Sequence, residues 1–267
     1  MPHKSRWQVE IPKCSLPTLV FQSATAPLDD KKACFLDAAR PDTHYFTPST
    51  YRLWCQRFAL GLLSSGRFER GDRLLLFSGN DLFYPVVFMG VIMAGGIFTG
   101  ANPSYVAREL AYQLKDSDAK FLLCAESSME TALEAARLVG MPNENVFTFD
   151  GAVYDESASS SRPEQGGNRH WGELFAAPED AKTFEWEDLP WPEDACHRTV
   201  ALNYSSGTTG YMTPYTTSSH LFARAASQDV ELMFGISRSA KRGRNHPRQL
   251  HQQLSAIHLH RLSQARL

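Results

Sequence analysis

Residues 72–103 read DRLLLFSGNDLFYPVVFMGVIMAGGIFTGANP, and this stretch decides the fold class. The segment Asp72 to Phe77 is largely apolar and lies between glycines, as expected for a buried parallel strand. Asn80-Asp81 can cap the apolar helix that follows, and Gly95-Gly96 ends that helix before a second buried strand at Ile97-Phe98. The stretch therefore predicts a strand–helix–strand unit.

The same alternation continues on both sides of this unit. Thr47-Pro48 opens a helical pattern that runs to Ser65, because proline in the first turn is a helix-start signal. Helical patterns also cover 105–115 and 127–138, and strand patterns cover 119–124, 145–149 and 198–203. Alternating strands and helices predict an α/β fold with a doubly wound, mostly parallel sheet.

Two segments lack this alternation. Residues 1–45 read as an extended lead-in punctuated by prolines. Residues 150–191 are rich in serine, glycine, proline and acidic residues, and predict a surface excursion with one short helix near Trp171 to Phe175. We interpret Trp171, Trp186 and Trp191 as packing anchors rather than as ligand-stacking residues.

A membrane-spanning helix competes with this interpretation. Leu82 to Ala107 contains no charged residue, and its first part is strongly apolar. Pro85 and Gly95-Gly96 interrupt the run, so a buried helix followed by a buried strand accounts for it better. We therefore predict no transmembrane segment.

Composition restricts the function classes. The 267 residues are 43% hydrophobic with a net charge of −2, which is ordinary for a globular protein and gives no basic field for nucleic acid. The five cysteines are dispersed without a C-x-x-C pair, which predicts neither a disulfide framework nor a metal site. That usage and the absence of a signal-peptide pattern predict a reducing, cytoplasmic setting.

The motif that carries chemistry is YSSGTTG, from Tyr204 to Gly210, directly after the predicted strand at 198–203. Glycines let backbone N–H groups converge, and serine and threonine hydroxyls add donors, so the stretch can cradle an anion. A loop leaving a strand end is the usual place for phosphate chemistry in α/β folds. The predicted phosphate-binding residues are Ser205, Ser206, Gly207, Thr208, Thr209 and Gly210.

YSSGTTG resembles the ATP-phosphate loop of the adenylate-forming (AMP-binding) superfamily. The preceding chain, from Ile11 onward, is similar to acyl-CoA and 4-coumarate-CoA ligases of fungal type, with the clearest likeness in 77–103 and 109–124. The resemblance implies that a carboxylic acid and Mg-ATP form an acyl-adenylate, which a CoA thiol then converts to a thioester. ATP, Mg²⁺ and CoA are thus the implied cofactor and co-substrates; the acid and the oligomeric state stay open.

In the family the loop continues into a Pro-Lys-Gly stretch and a Thr-His pair, whereas here it continues YMTPYTTSSH. The loop lysine, the later adenine and ribose contacts and the C-terminal domain with its catalytic lysine have no counterpart in frame. We therefore assign no catalytic residue, and expect residues 1–210 to be a partial N-terminal AMP-binding domain. The expected chain is a truncated, inactive ligase, and its resemblance to fungal-type ligases makes a secondary-metabolite pathway one candidate setting.

Three interpretations compete for residues 211–267, which are basic and rich in histidine. The segment could be a functional basic tail around Lys241 to Arg248, or a metal site at His258 and His260, although no acidic or cysteine ligand accompanies that pair. The third interpretation is a disordered or non-native tail made of a retained intron followed by coding sequence in the wrong frame.

The frame hypothesis can be checked by hand. From Ser239 onward, suitable codons can be chosen for each residue and then read one base late. The shifted reading gives VPKGV, two further residues and THANY, which closely resembles the family's continuation. A GGT codon at Gly210 and an AGG codon at Arg238 would supply the splice sites, so 211–237 would be the intron.

A second function class stays open. A non-catalytic interaction protein could use either the ligase-like half or the basic tail to bind a partner. The C-terminal Ala265-Arg266-Leu267 resembles a peroxisomal address, so the predicted location is cytoplasmic or peroxisomal.

Overall fold

The computed structural model describes residues 14–23, 29–154, 168–188 and 198–204, together with the backbone of 214–218. Its helices are α1 (Leu16–Phe21), α2 (Pro48–Ser64), α3 (Tyr84–Met93), α4 (Ala107–Ser117), α5 (Met129–Val139) and α6 (Pro178–Lys182). Its strands are β1 (Phe35–Leu36), β2 (Tyr45–Phe46), β3 (Arg73–Phe77), β4 (Ile97–Gly100), β5 (Ala119–Ala125), β6 (Val146–Phe149), β7 (Arg169–His170), β8 (Thr199–Tyr204) and β9 (Pro214–Ser218).

The main sheet has seven strands in the order β7-β6-β5-β3-β4-β8-β9. The neighbouring pairs from β7 to β8 are parallel, and β9 alone runs antiparallel to its neighbour β8. Strands β1 and β2 form a separate small antiparallel pair. The predicted doubly wound, mostly parallel sheet is confirmed.

Each central strand buries both of its faces. In β3, Leu74 and Leu76 enter a first core on the side of α2 and α3, whereas Leu75 and Phe77 enter a second core on the side of α4 and α5. Successive side chains of a strand point to opposite faces, so a continuous apolar run is what a sheet covered by helices on both sides requires. The apolar run at 74–77 is therefore central to both cores.

The predicted elements of the alternating region are confirmed, with small shifts at their ends. Thr47 is the N-cap of α2, and Ser65 is its C-cap. The predicted cap of α3 is displaced. Asp81 Oδ1 accepts a hydrogen bond from the Phe83 N–H at 2.8 Å, but the N-cap residue is Phe83 and the helix begins at Tyr84. The carboxylate therefore stabilises the turn that leads into the helix.

The lead-in and the 150–191 segment differ from prediction. The lead-in contains helix α1, which Ser15 caps by accepting from the Thr18 N–H at 3.3 Å. The predicted short helix is present as a 3₁₀ turn over Trp171–Leu174, but it is anchored in the core, because Trp171 and Leu174 are buried and Glu173 is the exposed residue of the turn. Trp171 and Trp186 both pack as anchors; Trp191 lies outside the described residues.

The membrane-helix alternative can be judged on α3. Helix α3 has 10 residues, so its length is about 15 Å. The hydrocarbon core of a bilayer is roughly 30 Å thick, about twice that length. Across the described ranges, no helix combines the length and apolar character that a bilayer crossing needs.

Candidate phosphate-binding edge

The candidate site lies at the carboxyl edge of the parallel sheet. The connection after β3 places α3 on the first face, whereas the connection after β4 places α4 on the second face. The chain thus changes sides between these two neighbouring strands, and ligands of open α/β sheets bind outside the carboxyl ends of the strands at such a point. Strand β8 is the other neighbour of β4, so it delivers the predicted loop to this edge.

The six predicted phosphate-binding residues, Ser205 to Gly210, lie outside the described residues. The strands on either side of them are described. Tyr204, the last residue of β8, pairs with Pro214, the first residue of β9, in an antiparallel ladder. The connection that holds the motif therefore starts and finishes at the same edge, between two paired strands.

Strand β8 is fixed to β4 through a buried polar chain. Gln113 Nε2 on α4 donates to Thr99 Oγ1 at 2.9 Å and to the Gly100 carbonyl at 3.2 Å. Thr99 Oγ1 in turn donates to the Leu202 carbonyl at 2.9 Å. Thr99 and Gln113 are both 0% exposed, so these bonds are shielded from competing water.

A second link joins the same helix to the end of β8. The Tyr204 hydroxyl donates to Asp116 Oδ2 at 2.7 Å. Burial, and then the hydrogen bond to Asp116, raise the pKa of the Tyr204 phenol well above its ordinary value. The phenol therefore stays a neutral donor, and the residue directly before Ser205 is held in place.

A different polar cleft occurs at the same edge, beyond β3. It is lined by Asp37, Arg40, His44, Asp81 and Asp150. Burial raises the pKa of Asp81, the charges of Asp150 and Asp37 raise it further, and the hydrogen bond from the Phe83 N–H opposes this. Carboxylates outnumber the guanidinium, so this cleft would repel a triphosphate.

The described side chains show no metal centre either. His170 Nε2 lies 3.2 Å from Asp150 Oδ1, but no group of three or more histidine, cysteine, aspartate or glutamate side chains in the described ranges is arranged to hold an ion. The alternative metal site at His258 and His260 falls on residues outside those ranges.

Sequence reasoning missed the residues that fix β8. Gln113 occupies the apolar face of α4 with Leu110 and Leu114, and a polar residue at such a position is a detectable signal. Its partner Thr99 comes from β4, so the purpose of the glutamine becomes visible only when the sheet order is known.

Comparison with known proteins agrees with this geometry. Residues 21–212 match the model of the AMP-binding enzyme family. The chain is 29% identical over 206 residues to the acyl-CoA ligase azaF of Aspergillus niger, covering 77% of this chain and 36% of that protein. It is 29% identical over 203 residues to 4-coumarate–CoA ligase 1 of Petroselinum crispum, covering 76% and 32%.

The fold is also found in solved structures. The ATP-bound MatB of Rhodopseudomonas palustris superposes with a TM-score of 0.56 at 21% identity, covering 81% of this chain and 37% of that one. The chain thus spans about a third of the length of the relatives it matches. The family match covers most of the residues and ends two residues beyond the YSSGTTG motif, so this chain belongs to the AMP-binding enzyme family.

Proposed function

We propose that residues 205–210 form the ATP-phosphate loop of an acyl-CoA ligase. In the intact enzyme a carboxylate would attack the α-phosphate of ATP, release pyrophosphate and give an acyl-adenylate, from which a CoA thiol would displace AMP. Mg²⁺ would enter with ATP as part of the substrate. Backbone N–H groups and hydroxyls at the loop would stabilise the charge that develops on the leaving pyrophosphate. A place in fungal secondary metabolism belongs to the same proposal, since the resemblance is to fungal-type ligases.

The observation that carries this proposal is the position of β8. Its last residue, Tyr204, lies at the carboxyl edge beside β4, next to the point where the chain changes from one face of the sheet to the other. The acidic cleft at the same edge lies beyond β3, away from β8, so the loop is not delivered into that cleft.

We further propose that the chain in its present sequence binds ATP without adenylating an acid. The first lysine after Gly210 is Lys241, so no lysine side chain follows the loop at the family's spacing. Within residues 205–210 the triphosphate would meet only backbone and hydroxyl donors, which position a phosphate but supply no mobile cation for the transition state.

Equilibrium dialysis of the 267-residue chain with radiolabelled ATP and Mg²⁺ tests the loop, and a pyrophosphate-release assay with aryl and fatty acids tests turnover. We expect measurable binding, and about tenfold weaker binding for Thr208→Val or Thr209→Val, as for the loss of one charge-assisted hydrogen bond. Ser64→Ala, an exposed position in α2, is the matched control and should bind like the unmodified chain. Undetectable ATP binding would refute the loop assignment, and robust acyl-AMP formation would refute the proposed inactivity.

For residues 211–267 we propose the retained-intron and frame-shift origin. The family match ends at residue 212, close to the predicted donor site at Gly210. Strand β9 falls inside the proposed intron, but apart from its first residue, Pro214, its pairing with β8 uses backbone groups that any non-proline residue supplies. The pairing therefore does not require an evolved sequence at 214–218.

Sequencing the transcript across the codons for Tyr204 to Leu250 tests this origin. A message that joins Gly210 to VPKGV supports the proposal and restores the loop lysine. A message that encodes YMTPYTTSS as the sole species rejects it and makes the basic segment a real part of the protein.

A further inference from the structure

We propose that the amino edge of the sheet carries a binding site for a small apolar acid with one carboxylate, such as an aryl or short-chain monocarboxylate. The site is a slot at the start of β8, and the Arg198 guanidinium at its mouth would hold the carboxylate. The slot uses none of residues 205–210, so this inference does not rest on the proposed function.

The walls of the slot are apolar and come from distant parts of the chain. They are formed by Leu16 of α1, Ile92 and Met93 at the end of α3, Trp186 after α6, and Val200 of β8. The cavity between them has a volume of about 60 Å³. One water molecule requires roughly 10–15 Å³ of such space, so about four to six non-hydrogen atoms fit, close to a six-membered ring.

The tryptophan wall is fixed by contacts outside the slot. Trp186 Nε1 donates to Thr18 Oγ1 at 2.9 Å, and the Arg52 guanidinium lies 5.1 Å from the centre of the indole ring. The ring of Phe21 packs 6.2 Å from the same indole. Because these contacts hold the ring in place, the slot stays open. An apolar group that entered it would gain van der Waals contacts that the walls otherwise lack.

The mouth of the slot is positively charged. The charged residues that line it are Arg70, Glu187 and Arg198. Arg70 Nη1 forms an ion pair with Glu187 Oε2. Arg198 Nη2 donates to the Gly95 carbonyl at 3.4 Å, and no carboxylate in the described ranges forms an ion pair with Arg198. A guanidinium has several N–H donors, so Arg198 keeps donors for the carboxylate of a ligand.

Gly95 brings the two arginines to the same end of the slot. A Cβ on Gly95 would lie 3.1 Å from Arg70 Cγ and 3.6 Å from Arg198 Nη2, so both side chains lie against this turn. The nearby carboxylate of Asp188 accepts from the Ser15 N–H at 2.8 Å and does not line the slot. Two guanidiniums against one lining carboxylate favour an anionic ligand over a neutral one.

The slot is separate from the edge at which ATP would react. Thr199, which lines the slot, is the first residue of β8, and Tyr204 is the last. At about 3.3 Å per residue the two ends of the strand are roughly 17 Å apart. A carboxylate bound at the slot is therefore out of reach of a phosphate held by the residues after Tyr204, and its ligand is not an acid undergoing adenylation.

Equilibrium dialysis of the full 267-residue chain with radiolabelled benzoate, without ATP, tests the site, and thermal unfolding is recorded for each protein. Benzoate combines a six-membered ring with one carboxylate, and benzamide is a neutral molecule of the same shape. We expect benzoate to bind with a dissociation constant on the order of 1 mM, and benzamide to bind about tenfold more weakly.

Four variants locate the binding. Arg198→Gln should weaken benzoate binding about tenfold, because the charge that meets the carboxylate is gone. Glu187→Gln should tighten it about threefold, because a neighbouring negative charge is removed. Ile92→Trp should abolish binding by filling the slot. Arg108→Gln, which changes an exposed arginine of α4 on the second face, is the matched control and should bind benzoate like the unmodified chain.

Benzoate binding that is weakened in Arg198→Gln and Ile92→Trp but kept in Arg108→Gln supports the site. The inference is overturned if the unmodified chain shows no thermal transition or no benzoate binding, if all variants bind equally, or if benzamide binds as well as benzoate. Should Ile92→Trp fail to fold, the opposite shifts of Arg198→Gln and Glu187→Gln decide the question. ATP is absent throughout, so failure of the proposed phosphate loop leaves this result unchanged.

Discussion

The two faces of the sheet are covered by different kinds of side chain. The first face is aromatic: Phe46, Trp54, Phe83, Trp171 and Phe175 pack ring against ring, with centroids 4.8–5.5 Å apart in the closest described pairs among them. The second face is filled by leucines and alanines of β3, β5, α4 and α5, which are close in sequence. The first core therefore depends on segments from distant parts of the chain, whereas the second follows from consecutive strand–helix units.

The largest effect should come from the residue that joins the distant segments. Trp171 is fully buried, its Nε1 donates to the Asp150 carbonyl at 2.9 Å, and its ring packs 4.7 Å from that of Phe149. We expect Trp171→Ala to lower the free energy of unfolding by about 3–5 kcal/mol. Urea denaturation measures this, with Trp186→Ala at the edge of the same core as the control. Equal losses in both variants would contradict a special role for Trp171.

A smaller loss on the same face should follow from adding a methyl group. A Cβ on Gly61 of α2 would lie 2.0 Å from the Leu174 carbonyl oxygen, and this neighbour is backbone that cannot rotate away. We expect Gly61→Ala to cost about 1–3 kcal/mol of unfolding free energy, because the 3₁₀ turn must shift away from α2.

Gly79→Ala is the matched control for this substitution. A Cβ on Gly79 would meet no other atom within 4 Å, and the φ of this residue is not positive, so the change should be nearly neutral. If Gly61→Ala were equally neutral, the close approach of α2 to the turn would not be required by the fold.

The difference between the faces also explains what the sequence could predict. The units from α2 to β6 were foreseeable because their apolar periodicity, helix starts and glycine breaks are local signals, as in the run from Leu74 to Phe77. The depth of Trp171 was not foreseeable, because its neighbours Phe58 and Phe83 come from far upstream. Composition around it suggested surface, and the long-range contacts overrode that local signal.

The candidate site divides in the same way. The SSGTTG motif and the strand before it are contiguous, so sequence alone predicted the motif at a strand end, and the strand is confirmed as β8. The contacts that hold this strand involve Thr99, Gln113 and Asp116, which come from much earlier in the chain, and they depend on β4 lying beside β8. Sheet order is a tertiary property, and no local pattern encodes it.

The second face should respond to alkaline pH through Cys124. Burial raises the pKa of this thiol from 9.0 to about 12, so the folded state disfavours the thiolate. The resulting stability is complete below pH 9 and is lost as the pH rises from 9 towards 12. At about pH 10 the loss from this group should be about 1.4 kcal/mol relative to about pH 8.

Urea titrations at about pH 8 and about pH 10 measure the effect as the difference between the unmodified chain and Cys124→Ala. Between these two pH values the unfolding free energy of the variant should fall by about 1.4 kcal/mol less than that of the unmodified chain. The comparison does not depend on the variant's baseline stability, because the other titrating groups are common to both proteins. Cys14→Ala is the control, since Cys14 is only partly buried and should change the decline less. Parallel declines in all three proteins would show that Cys124 titrates normally.

The smallest effects concern the helix starts, and they should have opposite signs on the two faces. Helix α2 on the first face has a reciprocal cap: Thr47 Oγ1 accepts from the Thr50 N–H at 3.3 Å, and Thr50 Oγ1 accepts from the Thr47 N–H at 2.8 Å. Helix α4 on the second face has half of this arrangement. Glu109 Oε2 accepts from the Val106 N–H at 3.0 Å, but the valine side chain at the N-cap cannot accept in return.

We therefore expect Thr47→Ala to destabilise the fold by about 1 kcal/mol, and Val106→Ser to stabilise it by about 0.5–1 kcal/mol. Val106 is 61% exposed and already has the extended backbone of an N-cap, so serine needs no rearrangement and little apolar packing is lost. Thermal unfolding of both variants measures the pair of shifts. A lower melting temperature for Val106→Ser would contradict the expected cap and show that the valine contributes more by its packing.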